Sequence, residues 1–450
     1  MRRLIFQSGE LRRLRKLLLD EAPLEAAALL LGGYGRSHSD LRLMVREIIT
    51  IPSDRYLVRE EARLSVSPKV LATVFKRARL EGWTVVLAHS HPFSDQPTFS
   101  VADDEGEAII TPSMFERAPG RPHAWIVLGR TGSEARVRTD PLHPAIPIDS
   151  IQEVGPTTTI EGSARLQLSA GSLAEHDRSV RALGEESIAV LRRLRVGIVG
   201  VGGIGSIVAE QLAYLGVGHL ALMDDDRLEE TNLNRVVGTT RADVGKPKVQ
   251  VIASHVTRVR PEIDVQSYPE SVLQRASAKR LLDCDLAFCC TDSQGSRAVL
   301  NQLAYQYLVP VIDLGVRIDV VDRRVTRITG RAQLLAPGLA CLTCHKTLDS
   351  EEVRRDLMTE EERKRDPYVV GIAIPQPAVI SLNGTVASLG VTMMLAAVTG
   401  FPSAARYQVF QGERGVVRAV VATPVAGCVT CSYRGALARG DLWSMPWRLD

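Results

Sequence analysis

The sequence predicts an α/β protein of two units: an α/β domain over residues 1–140 and a doubly wound, mainly parallel α/β domain over residues 171–450, joined by a linker at 141–170. Three observations predict this. The chain has 450 residues, more than one ordinary core accommodates. After residue 171, short apolar runs alternate with helix-period segments, the pattern of strands joined by crossover helices. Between the units Pro141, Pro144, Pro147 and Pro156 recur beside Thr157-Thr158-Thr159, with few large apolar residues.

Each unit has recognisable elements. In the first, Glu10–Asp20 reads as an amphipathic helix, and Leu24–Leu31 as an apolar helix or strand ended by Gly32-Gly33. Thr84–Ala88 and Trp125–Leu128 read as buried strands. In the second, strand Val196–Val199 runs through a glycine loop into a helix at Ile207–Leu215, and His219–Met223, Leu286–Cys290 and Val309–Ile312 are further strands.

Composition narrows the function classes. With 45% hydrophobic and 24% charged residues and a net charge of +3, the chain is not a general nucleic-acid binder. Its start, MRRLIFQSGELRRLRK, lacks the long apolar core and cleavage site of a signal peptide. No charge occurs between Asp366 and Arg406, yet Pro375, Pro377, Asn383 and Gly384 interrupt that stretch, so it reads as a strand or loop and a core helix near Thr385–Thr399 rather than a membrane span. Seven cysteines, four of them in two Cys-x-x-Cys pairs, suit zinc in a reducing cytoplasm better than disulfides.

The glycine loop, Gly200-Val201-Gly202-Gly203-Ile204-Gly205-Ser206, follows a strand and opens a helix, where backbone N–H groups cradle phosphates. Alone it fits a nicotinamide or flavin enzyme equally well. Asp224 ends the next strand, Asn232-Leu233-Asn234-Arg235 follows, Lys248 sits in Gly-Lys-Pro-Lys, and Asp292 ends LAFCCTD. This ordered set resembles the ubiquitin-activating, ThiF-type family of Rossmann-like adenylating enzymes, whose pattern runs Gly-x-Gly-Gly-x-Gly, Asp-x-Asp, Ser/Thr-Asn-Leu-x-Arg, Pro-Lys and Cys-Thr-Asp. The resemblance implies that Gly200, Gly202, Gly203 and Gly205 bind ATP, that Asp224 takes the ribose, and that Asn232, Arg235 and Lys248 contact the phosphates. Asp292 would hold magnesium. Glu175-His176-Asp177-Arg178-Ser179 looks like the family's entry segment, with Arg178 reaching ATP from the second subunit of a homodimer and Ser179 in place of the usual Gln.

Cys341-Leu342-Thr343-Cys344 and Cys428-Val429-Thr430-Cys431 supply four thiolates, a closed set that suits a structural zinc. Cys289 and Cys290 fall on an apolar strand, where small buried cysteines are common. Residues 345–427 contain no cysteine, although that is where the family's thioester-forming residue would be expected.

In the first unit, strand TVVLA runs into His89-Ser90-His91-Pro92, and Ser100-Val101-Ala102-Asp103 follows. Histidines at i and i+2 on extended chain share a face. With Asp103 they give three ligands and leave a fourth zinc position open, as catalytic sites do. The string resembles the JAB/MPN metalloproteases, which cut after the C-terminal glycine of ubiquitin-like proteins. The resemblance implies a zinc held by His89, His91 and Asp103, with Glu25 as general acid/base and Ser100 on the oxyanion. Asp104 competes with Asp103 for the ligand role, and Asp95, His38 and His123 read as surface or loop residues.

Together the two resemblances imply a bifunctional enzyme of a ubiquitin-like protein pathway. One domain processes or deconjugates the partner and the other adenylates its C-terminal glycine. The missing cysteine makes a second reading the runner-up, adenylation of a sulfur-carrier protein or peptide with direct transfer to a conjugating enzyme, sulfur donor or other acceptor. A third reading is a docking platform without catalysis.

Overall fold

A computed structural model describes residues 1–38, 40–162, 175–359, 361–362 and 377–448. The first unit comprises β1 (Arg2–Gln7), α1 (Glu10–Leu19), β2 (Ala27–Arg36), β3 (Leu41–Thr50), β4 (Tyr56–Arg59), β5 (Leu64–Val66), α2 (Pro68–Glu81), β6 (Thr84–Ser90), α3 (Val101–Arg117), β7 (His123–Leu128) and β8 (Ser133–Arg138). Then come β9 (Ile146–Pro147), β10 (Ser150–Val154) and β11 (Thr158–Gly162). Apart from the β4–β5 hairpin, these strands form one mixed sheet in the order β11-β10-β1-β3-β2-β6-β7-β8-β9. Leu11, Leu14 and Leu18 of α1 recur on one helix face and pack on Leu4 and Phe6 of β1.

The second unit holds α4 (Asp177–Leu183), α5 (Glu185–Arg193), β12 (Arg195–Val199), α6 (Gly203–Tyr214), β13 (His219–Met223), α7 (Lys248–Val259), β14 (Asp264–Tyr268), α8 (Arg275–Arg280), β15 (Leu286–Cys289) and α9 (Gln294–Gln306). It continues with β16 (Val311–Val321), β17 (Arg324–Leu335), α10 (Ser350–Leu357), α11 (Ile380–Val398), β18 (Tyr407–Gln411) and β19 (Val416–Ala419). Its sheet runs β14-β13-β12-β15-β16-β17-β18-β19, parallel as far as β16 and antiparallel beyond. The inner parallel strands β12, β13 and β15 are mostly apolar and buried, whereas the edge strand β14 is polar and has no fully buried residue.

Three expectations change. Gly32-Gly33 does not end its element: β2 continues to Arg36, with a register shift between Leu31 and Gly32. These glycines serve close approach. A Cβ at Gly33 would run into the backbone of Ala438 and Arg439, and one at Gly35 into the Tyr307 ring. Residues 146–162, expected to be linker, supply β9–β11, and β10 pairs in parallel with β1. Their prolines mislead because they occupy the edge strand β9 and the β10–β11 turn, where no ladder donor is required; residues 163–174 lie outside the described residues. The helix after the glycine loop begins at Gly203, within the loop itself.

The stretch from 367 to 405 lies partly outside the described residues. Its described part forms α11, which is long and apolar enough to cross a membrane by length and composition alone. It packs on α6, β16 and β17, with Val386, Ala387, Met393 and Met394 buried.

The units share a core. Ile5, Met44 and Val154 of the first pack with Leu282, Tyr305, Tyr307 and Leu308 of the second. Within this contact Arg3 and Arg42 are completely buried. Arg3 pairs with Asp40 and, at 3.4 Å, with Asp285. Arg42 donates to the carbonyls of Leu282 (2.7 Å), Cys284 (2.9 Å) and Leu308 (3.2 Å). Burial and the neighbouring Arg3 lower the Arg42 guanidinium to about 9, against the upward pull of Asp285 and Asp40, so it stays charged at neutral pH. Asp285 also accepts from Gln152 Nε2 (3.0 Å) and the Arg195 backbone N–H (3.0 Å). Asp285→Ala is expected to cost about 3–5 kcal/mol, because it strands buried positive charge. The exposed pair Asp95–Arg130 is the control: Arg130→Ala costs less than about 1 kcal/mol. Urea unfolding of both variants checks this, and equal costs would contradict it.

Candidate active sites

The first site forms where β6 ends. His89 and His91 project from one side of the strand end, and Ser90 between them points inward. The Ser100 side chain caps α3 in a capping box with Asp103, which fixes Asp103 on the first turn. His89 Nε2 lies 2.9 Å from Asp103 Oδ1, His91 Nε2 3.4 Å from Oδ2, and the two Nε2 atoms 3.3 Å apart. Two nitrogens about 2.05 Å from a tetrahedral zinc stand about 3.3 Å apart, so the donor set fits that ion. Burial acts to raise the Asp103 carboxyl, but hydrogen bonds from His89 and His91 outweigh it and hold the group well below the usual range.

Glu25, buried just before β2, places Oε1 3.7 Å from His91 Nε2. Burial pushes its carboxyl up to about 7, opposed by His91 and aided by Asp103. Asp104 pairs instead with Arg136 at 2.6 Å. Ser100 Oγ donates to Asp103 Oδ2 at 2.8 Å, so its hydroxyl here orients the Asp103 carboxylate. Among the residues read as surface or loop, His38 and Asp95 are exposed, but His123 is wholly buried at the start of β7, where its Nδ1 accepts from Val85 N–H at 3.0 Å. Sequence reading missed three supports for Glu25. Ser90 Oγ accepts from Ala26 N–H (3.0 Å), Tyr56 OH from Ala27 N–H (2.9 Å), and Arg59 Nε donates to the Glu25 carbonyl (3.1 Å). Only Ser90 carried a signal, its alternation between the two histidines.

The second site is a cavity of about 780 Å³ at the C-terminal ends of β12, β13 and β15, where doubly wound sheets bind ligands. Gly200, Gly202, Gly203, Asp224, Asn232, Arg235, Lys248 and Asp292 all line it. Gly200 has φ +84° and lies against the Cys290 backbone, so no side chain is tolerated there. Gly205 does not line the cavity; it lets α6 sit directly on the Gly200 carbonyl. Asp224 accepts from Val201 N–H (2.8 Å) and Asp226 N–H (2.9 Å), fixing the loop, and burial raises its carboxyl against the pull of Lys248. Lys248 Nζ meets Asp226 Oδ2 at 2.6 Å. Buried Asn232 accepts from Glu229 N–H (3.1 Å), and its carbonyl receives Arg235 N–H (3.0 Å), so it presents Arg235 to the cavity. Asp292 is exposed at the mouth. Arg178 is also exposed and does not line this cavity. Asn383, Asp356 and Arg448 do line it, and no sequence motif marks them.

The four knuckle cysteines converge. Cys341 Sγ is 3.6 Å from both Cys344 and Cys428, and Cys344 Sγ is 3.4 Å from Cys431. Sulfurs of a tetrahedral zinc thiolate site stand about 3.8 Å apart, so these residues fit the ion. His345 stands outside the set, stacked edge-on against Tyr407. The remaining cysteines are unlike nucleophiles: burial pushes Cys284 and Cys289 up to about 12 and Cys290 well above the usual thiol range.

Comparison with known proteins agrees with this layout. The model of the ThiF family matches residues 176–428, more than half of the chain. This chain belongs to the ThiF family. The model of prokaryotic homologs of the JAB domain matches residues 8–140, so a JAB domain is fused ahead of the ThiF domain. The sulfur carrier protein ThiS adenylyltransferase of Escherichia coli is 26% identical over 244 residues, covering 54% of this chain and 87% of its own. Ubiquitin-like modifier-activating enzyme 5 of Oryza sativa subsp. japonica is 32% identical over 169 residues, 34% of this chain, and the match spans 38% of that relative. Among solved structures, E. coli MccB aligns with a TM-score of 0.48 and 20% identity, covering 61% of this chain and 76% of MccB.

Each candidate zinc site of this JAB–ThiF fusion can be checked separately. The wild type is expected to carry two zinc ions per chain by elemental analysis, and Cys344→Ser or His89→Ala one each. Cys344→Ser should also lower the melting temperature more than His89→Ala, because only the cysteine set joins distant segments of the fold. Unchanged zinc content in either variant would refute that site.

Proposed function

We propose that this chain is a bifunctional enzyme of a ubiquitin-like protein pathway. Its ThiF domain adenylates the partner's C-terminal glycine with ATP, and its JAB domain cuts a peptide or isopeptide bond at that same tail. The observation that carries the first half is the single cavity gathering the glycine loop, Asp224, Asn232, Arg235, Lys248 and Asp292 from separate segments. A carboxylate oxygen attacks the α-phosphorus, the bond to the leaving pyrophosphate breaks, and acyl-AMP remains. Two anions must meet for this, and Arg235 and Lys248 supply the positive charge that screens them. Asp292 offers magnesium a hard oxygen donor at the mouth. Arg178, exposed on α4, would serve the nucleotide of a second copy in a homodimer.

In the JAB domain, zinc supplies Lewis acidity when bound by His89, His91 and Asp103. Glu25 takes and returns the proton, a role suited to a carboxyl that burial raises to about 7. Ser100 keeps Asp103 in place.

A specific observation favours direct transfer of the acyl group to a partner. Four cysteines belong to the knuckle set and the other three are buried with raised thiols or lie beneath the glycine loop. The acceptor is then a thiol on a conjugating enzyme, a sulfur donor or another nucleophile outside this chain, and a sulfur-carrier protein or peptide fits the same chemistry. We read the compartment as a reducing cytoplasm, the setting that suits the Cys341, Cys344, Cys428 and Cys431 thiolates as metal ligands.

ATP–pyrophosphate exchange with glycine-ended candidate partners tests adenylation. Asp292→Ala should lower exchange at least about 100-fold while the partner still binds. Absence of exchange in the wild type with every candidate would reject the reading in favour of a docking platform. Glu25→Gln should abolish cleavage of a tail-extended partner, a loss of at least about 100-fold, with zinc retained; cleavage at the wild-type rate would remove Glu25 from its role. Mass spectrometry after turnover distinguishes the acceptors, and a thioester on any cysteine of this chain would overturn direct transfer.

A further inference from the structure

We infer that Arg448 and Asp356 form a clasp that sets the width of the nucleotide cavity. Both act as positioning residues, so their loss weakens ATP binding without touching the phosphate-contacting groups. This rests on the reading that the cavity takes ATP.

The cavity opens between two loops. One follows β14 and contributes Ser271, Val272 and Leu273; the other follows β15 and contributes Thr291, Asp292 and Ser293. In the sheet order β14-β13-β12-β15 these loops stand on opposite sides of the glycine loop and Asp224. Each loop has its own local hydrogen bonds, such as Arg297 Nη2 to the Thr291 carbonyl at 2.8 Å, and a bridge of three segments in series joins one loop to the other. Arg448 N–H donates to the Leu273 carbonyl at 2.7 Å, and its own carbonyl accepts from Arg275 N–H at 3.2 Å, which fastens the C-terminal segment to the β14 side. The Arg448 guanidinium donates to the carbonyl of Leu357, at 3.1 Å, and to that of Asp356, both at the C-terminus of α10. A cation is favoured at that end of a helix. Asp356 Oδ2 then accepts from Ser293 Oγ at 2.7 Å and Gly295 N–H at 2.9 Å, at the start of α9 on the β15 side.

The chain of contacts therefore runs from the loop after β14, through Arg448 and α10, to the loop that carries Asp292. Its chemistry is directional. An arginine fork satisfies two carbonyls at once, which a lysine ammonium does less well. The Asp356 carboxylate takes the Gly295 N–H and the Ser293 hydroxyl takes the Ser296 N–H at 3.1 Å, so those donors of α9 are not offered to the nucleotide, and the phosphates are directed to the N-terminus of α6 at Gly203. The clasp also ties the nucleotide site to the knuckle. The chain that delivers Arg448 leaves Cys431, meets β2 of the JAB domain through Gly33 N–H to Ala438 O (3.1 Å) and Asp441 N–H to Tyr34 O (2.7 Å), and then reaches the cavity.

Equilibrium binding of ATP to the full-length zinc-loaded protein, followed by calorimetry, tests this alongside melting temperatures. Arg448→Ala is expected to raise the Kd for ATP about tenfold, the loss of a charge-assisted pair of hydrogen bonds, with Arg448→Lys recovering part of the affinity. Asp356→Asn should also raise it, because the amide can turn a donor towards Ser293 and Gly295. In exchange assays the KM for ATP should rise while the KM for the protein partner stays within twofold. An unchanged Kd in both Arg448→Ala and Asp356→Asn, with wild-type binding intact, overturns the clasp. A wild type that binds no ATP overturns instead the reading of the cavity. Should Arg448→Ala lose its folded state, the isosteric Asp356→Asn decides the matter.

Discussion

Two arginines buried between the domains constrain everything else in this molecule. Arg3 and Arg42 are fully removed from solvent, a state that costs several kcal/mol per charge unless partners replace the lost water. The partners come from both halves: Asp40 from the JAB domain, and Asp285 with the carbonyls of Leu282, Cys284 and Leu308 from the ThiF domain. Separating the domains would break these bonds and expose the apolar core around Ile5, Met44 and Tyr307. The domains therefore behave as one folded body.

That rigid docking explains features of the sequence that look anomalous within either domain. Gly33 and Gly35 sit within β2, where glycine usually weakens a sheet, because the Ala438–Arg439 backbone and the Tyr307 ring occupy the space of their side chains. The segment after Cys431 is packed between β2 and the C-terminal end of α9, with Ala438 N–H on Tyr305 O and Gly440 N–H on Gln306 O. The knuckle thus does more than close a loop of the ThiF domain. It anchors the segment that seals the domain junction and then borders the nucleotide cavity.

Both sites use the same device, strand ends that deliver side chains and helix starts that fix them. β6 delivers His89 and His91 while the cap of α3 fixes Asp103. β13 ends at Met223, just before Asp224, and β15 ends near Asp292, while α6 starts inside the glycine loop. Backbone hydrogen bonds hold the strand ends to within small tolerances, which suits groups that must meet a metal or a phosphate. Cys284 and Cys289 fall on the opposite side of this logic: they are core residues whose burial suppresses the thiolate.

The sequence by itself determined the two domain families, the alternation of strands and helices, and the residues of the local motifs. These properties are local: a glycine loop after an apolar strand, histidines two apart on extended chain, or cysteines three apart reads the same before folding. Only the tertiary structure decided which distant residues join them. Nothing in the Leu24–Leu31 region distinguishes helix from strand until β6 pairs with it, Ala27 opposite His89. The prolines around residues 141–156 suggested a linker because composition does not show that β10 finds β1, some 145 residues earlier, as its partner (Arg3 opposite Ser150). Asp356, Asn383 and Arg448 reach the cavity from segments with no motif of their own, since long-range packing rather than spacing brings them there. The burial of Arg3 and Arg42 was equally invisible, because an arginine in the chain gives no sign of whether water or a neighbouring domain will satisfy it.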